Sequence, residues 1–375
     1  MVHRVTSPSA PGPQEVSSAL RRRLADRFPG ETVDVEAPAR LSGGVDFWVY
    51  GLHFAGPGLP EQWQTPLVAR ITAGAKRFPL MERDSRLQTW VAAHGYPAPP
   101  VLDLVPPGEL LPFPVQVMRR MPGITMAQAM AAAPRRMLRL AAQLGPCHAA
   151  LHRLPVPEWA GEWSMAGNRL RLPRRLAANG SVPGLAEALE RTEQILPRLR
   201  ASTPAICHGD FHLANVLIDH GDLSVIDWTD AGIGDRHGDI ARTVWLFGFA
   251  AVAAKRRPER LTLRALAPVL SRAYLSAYRR ELPVDAARLR LWTPVQFMHA
   301  WAMLAADEQK PPGHSRFRPG LAAWARRQFW RHLNELPLFR GRPGPGVHAF
   351  SLGSQDAESP MRSLLFPFPG NGNEC

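Results

Sequence analysis

Residues Cys207 to Ala241 read Cys-His-Gly-Asp-Phe-His-Leu-Ala-Asn-Val-Leu-Ile-Asp-His-Gly-Asp-Leu-Ser-Val-Ile-Asp-Trp-Thr-Asp-Ala-Gly-Ile-Gly-Asp-Arg-His-Gly-Asp-Ile-Ala. Three polar anchors stand beside apolar runs. Val216-Leu217-Ile218 follows Asn215, and Leu223-Ser224-Val225-Ile226 leads into Asp227. The break at His220-Gly221-Asp222 predicts a hairpin from these two short β-branched runs. Asn215 and Asp227 would then stand at its two open ends, although twelve residues apart. Asp210 precedes the first strand on a loop opened by Gly209. The pattern gathers two carboxylates and one amide oxygen at the edge of a small sheet.

Hard oxygen donors of this kind suit a cation that keeps some of its water, which is Mg²⁺. Phosphoryl transfer needs such a set: metal ions neutralise the phosphates, and a free carboxylate accepts the proton of the attacking hydroxyl. In the kinase pattern an Asp on the catalytic loop is the base, and the Asn after it and the Asp after the next strand hold metal. The interval from Asp210 to Asn215 is five residues, as in that pattern. A solvated hairpin with chance acids in its turns is the plainer alternative. The ordered set, with both strands in place, favours chemistry.

His208-Gly209-Asp210-Phe211-His212-Leu213-Ala214-Asn215, followed by Ile226-Asp227-Trp228, resembles the aminoglycoside phosphotransferase and choline kinase-like family. Gly234-Asp235 and Asp239-Ile240-Ala241 are similar to its usual continuation. The resemblance implies an α+β, bilobal protein-kinase-like fold, with a small β-rich N-lobe and a larger, mainly helical C-lobe. It also implies ATP- or GTP-dependent transfer to a hydroxyl of a small molecule. On this pattern residues 15–118 form the N-lobe with its nucleotide-binding sheet and helix. Residues 119–336 form the C-lobe with the catalytic loop and acceptor pocket.

Working outward, Gln14 to Phe28 has helical spacing, with Val16, Leu20, Leu24 and Phe28 on one face. Leu41-Ser42-Gly43-Gly44 then opens a turn between apolar strands. Backbone N–H groups in such a turn can approach phosphate, although a plain hairpin reads the same way. In the family a turn of this kind covers the nucleotide phosphates, which makes Gly43 and Gly44 nucleotide-binding candidates. Phe47 stands where the family often has Asn.

Pro66 to Ile71 reads as the next strand. The kinase pattern places there the cation that grips the phosphates. This strand has no lysine, so Arg70 is the candidate; Arg stays charged when buried and binds phosphate as a fork. Met81 to His94 is predicted as a helix with Leu87, Trp90 and Val91 inward. Asp84 fills the position of the acid expected to pair with Arg70, with Glu82 as its rival. Pro99-Leu102 and Phe113-Gly123 are further strands, the second leading to a hinge near Met118 to Arg120.

Thr125 to Leu154 is predicted helical along Leu138, Ala142, Gly145 and Ala149. His148 and His152 lie four apart on one face. The metalloprotease Glu between them is absent, and both read as structural. Trp163 to Leu172 reads as an Arg-punctuated connector, and Leu185 to Leu199 as an amphipathic helix. Helices follow over Ala241–Ala254, Leu261–Arg280, Val284–Asp307 and Gly320–Leu333. Asp230, Asp307 and Glu308 are the acids available to a polycationic aminoglycoside. The segment is otherwise basic and aromatic, so an apolar-lined pocket for a macrolide or another hydroxylated natural product fits equally.

Composition sets the remaining limits. The chain has 375 residues, 45% of them hydrophobic, and a formal charge of +13. That length allows two lobes and a sizeable core. Lys76, Lys255 and Lys310 are its lysines; arginine carries the rest of the positive charge. A basic surface favours anionic partners such as nucleotides. The arginines are scattered over many predicted helices and form no aromatic-laced stripe, which argues against nucleic acid. Cys147, Cys207 and Cys375 make no disulfide framework, as in a reducing cytoplasm. The N-terminus shows no signal-peptide core, and no apolar run is long enough for a membrane span. Residues 1–14 and 337–375, rich in Pro with Ser or Gly, are expected to be disordered. No Gly-Lys-Ser/Thr is present, so a Walker-type NTPase is excluded. Cys207, His208, His212 and His220 match no tetrahedral zinc spacing.

Two functional readings follow. One is a small-molecule O-phosphotransferase, with Asp210 catalytic, Asn215 and Asp227 holding Mg²⁺, and Gly43, Gly44, Arg70 and Asp84 serving the nucleotide. The other is a non-catalytic nucleotide-binding scaffold of kinase-like fold.

Overall fold

The structure is a computed structural model that describes residues 9–36, 38–41, 47–72, 74, 77–160, 164–199, 203–311 and 313–339. Gly43 and Gly44 lie outside the described residues, as do Lys76, Trp163, and residues 1–8 and 340–375 of the two expected terminal segments. The fold is α+β, in two compact units. One comprises Met1–Thr125 with Val216–Thr229; the other comprises Met126–Asn215 with Asp230–Cys375.

The first unit runs α1 (Pro13–Arg27), β1 (Asp34–Val35), β2 (Ala39–Leu41), β3 (Phe47–Leu52), β4 (Phe54–Ala55), β5 (Leu67–Thr72), α2 (Phe78–Ala93), β6 (Val101–Val105), β7 (Val115–Arg119) and β8 (Ile124–Thr125). Pro13 already begins a helix, as Pro does well at a first helical position. Val16, Leu20 and Leu24 share a core with Tyr50, Phe54, Ile71 and Val117. The main sheet has the order β2-β3-β5-β7-β6, with every pair antiparallel. Leu87 and Val91 of α2 are buried, whereas Trp90 is half-buried and packs on His94.

The second unit contributes α3 (Met126–Ala132), α4 (Met137–Arg153), α5 (Met165–Ala178), α6 (Leu185–Glu193), α7 (Leu196–Leu199) and β9 (Ala205–Cys207). The chain then returns to the first unit for β10 (Val216–Asp219) and β11 (Asp222–Val225). It continues in the second unit through β12 (Gly232–Gly234), α8 (Arg236–Ala253), α9 (Arg257–Glu281), α10 (Ala286–Glu308) and α11 (Leu321–Asn334).

The predicted hairpin forms: Val216 pairs with Val225 and Asp219 with Asp222. His220 and Gly221 take positive φ values of 48° and 110°, as a two-residue turn that follows strand twist requires.

Four predicted elements differ. The single helix over Thr125–Leu154 is interrupted before Pro134, and α4 starts again at Met137. The new start turns Leu138 outward, 51% exposed. Leu140, Leu144, His148, Leu151 and His152 face inward instead. The connector after Trp163 is helical from Met165, where Ser164 caps the helix by accepting from the Gly167 N–H. The helix expected over Leu185–Leu199 divides into α6 and α7 ahead of Pro197, because proline cannot supply an interior helix N–H. Leu336 and Phe339 are buried, so the ordered core reaches into the segment expected as tail. At Gly145 a Cβ would stand 2.4 Å from the Tyr278 nitrogen, which shows how closely α4 and α9 approach. Among the described residues, no helix is long and apolar enough to cross a membrane.

Candidate active site

The loop after β9 is built around a buried acid on another helix. Asp239, in the first turn of α8, is fully buried. Its carboxylate accepts the His208 N–H at 2.6 Å and the Gly209 N–H at 2.8 Å. It also bonds His148 Nε2 at 3.0 Å and His152 Nε2 at 3.3 Å. The Tyr274 and Tyr278 hydroxyls meet the Nδ1 atoms of those histidines at 2.8 and 2.7 Å. Burial opposes charge on Asp239, but His148 and His152 outweigh it and hold the carboxyl well below the usual carboxylate range. Each tyrosine hydroxyl can donate to its histidine, whose other N–H then donates to Asp239. Among the described residues the network closes on hydrogen bonds alone.

His152 makes this network sensitive to acid. Burial, with His148 beside it, lowers its pKa to about 4, whereas a histidine in the unfolded chain titrates near about 6.5. Below about 6.5 the unfolded state therefore binds a proton that the folded state refuses. This contribution is complete above that pH and is lost as pH falls toward about 4, amounting to about 3 kcal/mol over the window. A melting temperature that is level from pH 7 to 8 and falls below about 6.5 is expected. The fall should be shallower in His152→Gln. Equal slopes for the two proteins would remove His152 as the cause.

Gly209 turns the loop at φ 78°. A Cβ there would lie 2.2 Å from the Asp230 carbonyl oxygen, so only glycine fits. Phe211 is buried and stacked on His148, with ring centroids 4.1 Å apart. Asp210, held between these anchors, is bracketed on both oxygens. Arg242 donates to Oδ1 from Nε at 3.2 Å and from Nη2 at 2.8 Å. His212 Nε2 lies 3.2 Å from Oδ2, and Asn215 Nδ2 donates to the same oxygen at 3.3 Å. Burial disfavours the charge, but Arg242, followed by His212, holds the Asp210 carboxyl well below the ordinary range. Asp210 is thus ionised at neutral pH. It has the charge to orient a hydroxyl and the low basicity of a group that takes the proton late.

Asn215 is buried. Its amide nitrogen is committed to Asp210, through the backbone oxygen at 3.0 Å as well as the carboxylate. Its amide oxygen has no hydrogen bond among the described residues.

In the first unit, Asp227 takes a left-handed φ of 64°. This conformation is uncommon for a residue with a Cβ, and it concentrates at functional positions. Asp227 Oδ1 accepts from Arg70 Nη2 at 3.0 Å and from Thr229 Oγ1 at 2.6 Å. Its other oxygen carries no hydrogen bond among the described residues, and the side chain is 47% exposed. An amide oxygen and a carboxylate oxygen, each left open, are the donor chemistry that Mg²⁺ takes.

Arg70 is where sequence and structure part. Asp84 was the expected partner, but its carboxylate is engaged by neighbouring Arg83 at 2.6 Å. Arg70 instead bonds Asp227, Thr229 Oγ1 at 2.9 Å and Gln116 Oε1 at 3.3 Å. Gln116 in turn donates to Ser85 Oγ at 2.8 Å. A neutral Gln116–Ser85 relay therefore links Arg70 to α2. Gln116 stands opposite Arg70 in the strand register and so is at hand for this bond. The Arg70 guanidinium also lies over the Phe47 ring, 4.1 Å from its centroid, which assigns a contact to the residue that departs from the family pattern.

The three acids weighed for an acceptor are already engaged. Asp307 accepts from Lys310, Ser315 and the Arg316 and Phe317 N–H groups. Glu308 accepts from the Gly320 and Ala322 N–H groups. Asp230 lies 3.3 Å from Arg169. Asp235 caps α8 and receives Trp292 Nε1 at 2.9 Å.

Arg242 and Arg169 were not legible as site residues. Arg242 left one signal, a lone cation within the apolar stretch Ile240–Phe249. Arg169, which is buried and donates to the Gly209 carbonyl, left none.

An ionised Asp clamped by an arginine has the charge needed to orient a hydroxyl for phosphoryl transfer. Residues 38–292 match the profile of the phosphotransferase enzyme family, and the chain belongs to that family. Among curated proteins it is 27% identical over 176 residues to acyl-CoA dehydrogenase family member 10 of Mus musculus. That stretch is 43% of this chain but 16% of the relative's length. The fold is similar to that of a thermostable mutant of aminoglycoside phosphotransferase APH(4)-Ia in ternary complex with AMP-PNP and hygromycin B. The TM-score is 0.55 and the identity 18%, over 84% of this chain and 98% of that one. It is also similar to amicoumacin kinase hAmiN in complex with AMP-PNP, Ca²⁺ and Ami, with a TM-score of 0.54 and 16% identity over 87% of this chain and 97% of that one.

Proposed function

We propose that the chain transfers the γ-phosphoryl group of ATP or GTP to a hydroxyl of a small molecule. The observation that carries this reading is the state of Asp210: half-buried, ionised and clamped by Arg242 on a loop that Asp239 holds in place. Asp210 orients the acceptor hydroxyl. As the hydroxyl oxygen bonds to phosphorus and the bond to the nucleoside diphosphate breaks, the hydroxyl proton passes to Asp210. In a loose transition state this transfer comes late and needs no strong base. Arg70, steadied by Gln116 and Thr229, faces the nucleotide phosphates. Asn215 and Asp227 would hold Mg²⁺ through their open oxygens, and the ion when bound neutralises phosphate charge. Gly43 and Gly44 are assigned to the phosphates by the family pattern. Most of the rate comes from positioning and charge neutralisation. The AMP-PNP complexes of the two structural neighbours support a nucleotide donor.

Phosphorus NMR tests the reading. Incubation with Mg·ATP or Mg·GTP and a panel of hydroxylated natural products, aminoglycosides and macrolides among them, should yield a phosphate monoester and one equivalent of diphosphate nucleotide. A phosphoamide or transferred nucleotide among the products would refute it.

A further inference from the structure

Beside Asp210, within the second unit, a cavity of about 480 Å³ is lined by Met130, Leu246, Phe247, Phe249, Leu266 and Leu270, with small apolar residues between them. His212 and Thr262 supply the polar side chains of the lining, and the lining includes no acid. Its volume is that of a site for a drug-sized ligand. His212 belongs both to this wall and to the catalytic loop, since its Nε2 is 3.2 Å from Asp210 Oδ2. A molecule filling the cavity therefore ends one side chain away from the carboxylate.

We propose that the acceptor is an alcohol on an uncharged, largely apolar body, not a polycation; this rests on the phosphotransferase reading. Charge and burial both favour it. Arg242 and Arg169 stand beside Asp210 and repel ammonium groups. Asp307 and Glu308, two of the acids that might have received such groups, are bonded within the protein, and Asp230, 46% exposed, is paired with Arg169. An ammonium group moved into this lining would lose its water with no carboxylate to replace it. An apolar body gains by the same desolvation. His212, with Nε2 on Asp210 and Nδ1 accepting from the Ala214 N–H, walls the cavity at the Asp210 end, where the hydroxyl meets Asp210.

The test compares 1,10-decanediol and the neutral macrolactone erythronolide B with kanamycin as acceptors for Mg·ATP and Mg·GTP. Transfer to water serves as background, and Asp227→Ala as control. The expected result is kcat/KM at least tenfold higher for one of the neutral alcohols than for kanamycin. Ala250→Trp, which places an indole at the exposed rim of the cavity, should raise KM for that alcohol at least tenfold with a smaller change in kcat. A preference for kanamycin would overturn the inference and leave the phosphotransferase reading standing. So would Asp227-dependent transfer to water alone, or an unchanged KM in a folded Ala250→Trp protein. Absence of any Asp227-dependent turnover would overturn both.

Discussion

Replacing Asp210 with Asn is expected to lower kcat by about a thousandfold, within the range that a positioned acid–base group contributes, while changing nucleotide affinity only a few-fold. Asn keeps an oxygen for Arg242, whose Nη2 lies 2.8 Å from Oδ1, so the loop keeps its partner and loses its charge. The hydroxyl is then neither turned toward phosphorus nor relieved of its proton. The pH dependence gives a second reading. Because Arg242 and His212 hold Asp210 well below the usual carboxylate range, its ionisation should leave no acid limb in kcat between about pH 5 and 8. Stopped turnover at several pH values would check both. Full turnover in Asp210→Asn would remove Asp210 from the chemistry.

Asp239→Ala is expected to have the largest effect on stability. The substitution strips two backbone N–H groups and two imidazoles of their acceptor in a fully buried place. Removing one side of such a buried charged network costs about 3–5 kcal/mol. For a chain of this size that is a fall in melting temperature on the order of 10 °C. The loop carrying Asp210 loses its anchors in the same step, so kcat should fall even at temperatures where the variant stays folded. Thermal unfolding with assay at 15 °C separates the two effects. A variant with native stability would show that the His208 and Gly209 amides find other acceptors, and the hub would lose its assigned role.

Elements with strong local signals were legible in the sequence. Short β-branched runs on either side of His220-Gly221-Asp222 became the β10–β11 hairpin, and the spacing of Val16, Leu20 and Leu24 became the buried face of α1. The positions that misread depend on partners far along the chain. Asp84 and Arg70 were paired by register, but Gln116, 46 residues from Arg70, takes the link through a hydrogen bond that no spacing announces. Arg242 looks like one more arginine in a chain full of them until α8 sets it against Asp210. Asp239 stood out only as part of the family's usual continuation. That it serves as the acceptor for two histidines on α4 is a tertiary fact. The cavity likewise draws on α3, the loop after Phe211, α8 and α9. Each of these has an ordinary apolar face when read alone.

The central claim is that this chain binds a phosphoryl donor through Mg²⁺, and its melting temperature tests that most directly. The measurement compares native chain and Asp227→Ala, with Mg²⁺ alone and with Mg²⁺ plus saturating ATP or GTP. Asp227 keeps one carboxylate oxygen open beside the one that Arg70 and Thr229 engage. The native chain should gain about 3 kcal/mol at a hundredfold excess over Kd, with Mg²⁺ required, and the gain should vanish in the variant. No Mg²⁺-dependent gain with either nucleotide, or an equal gain in Asp227→Ala, would contradict the account.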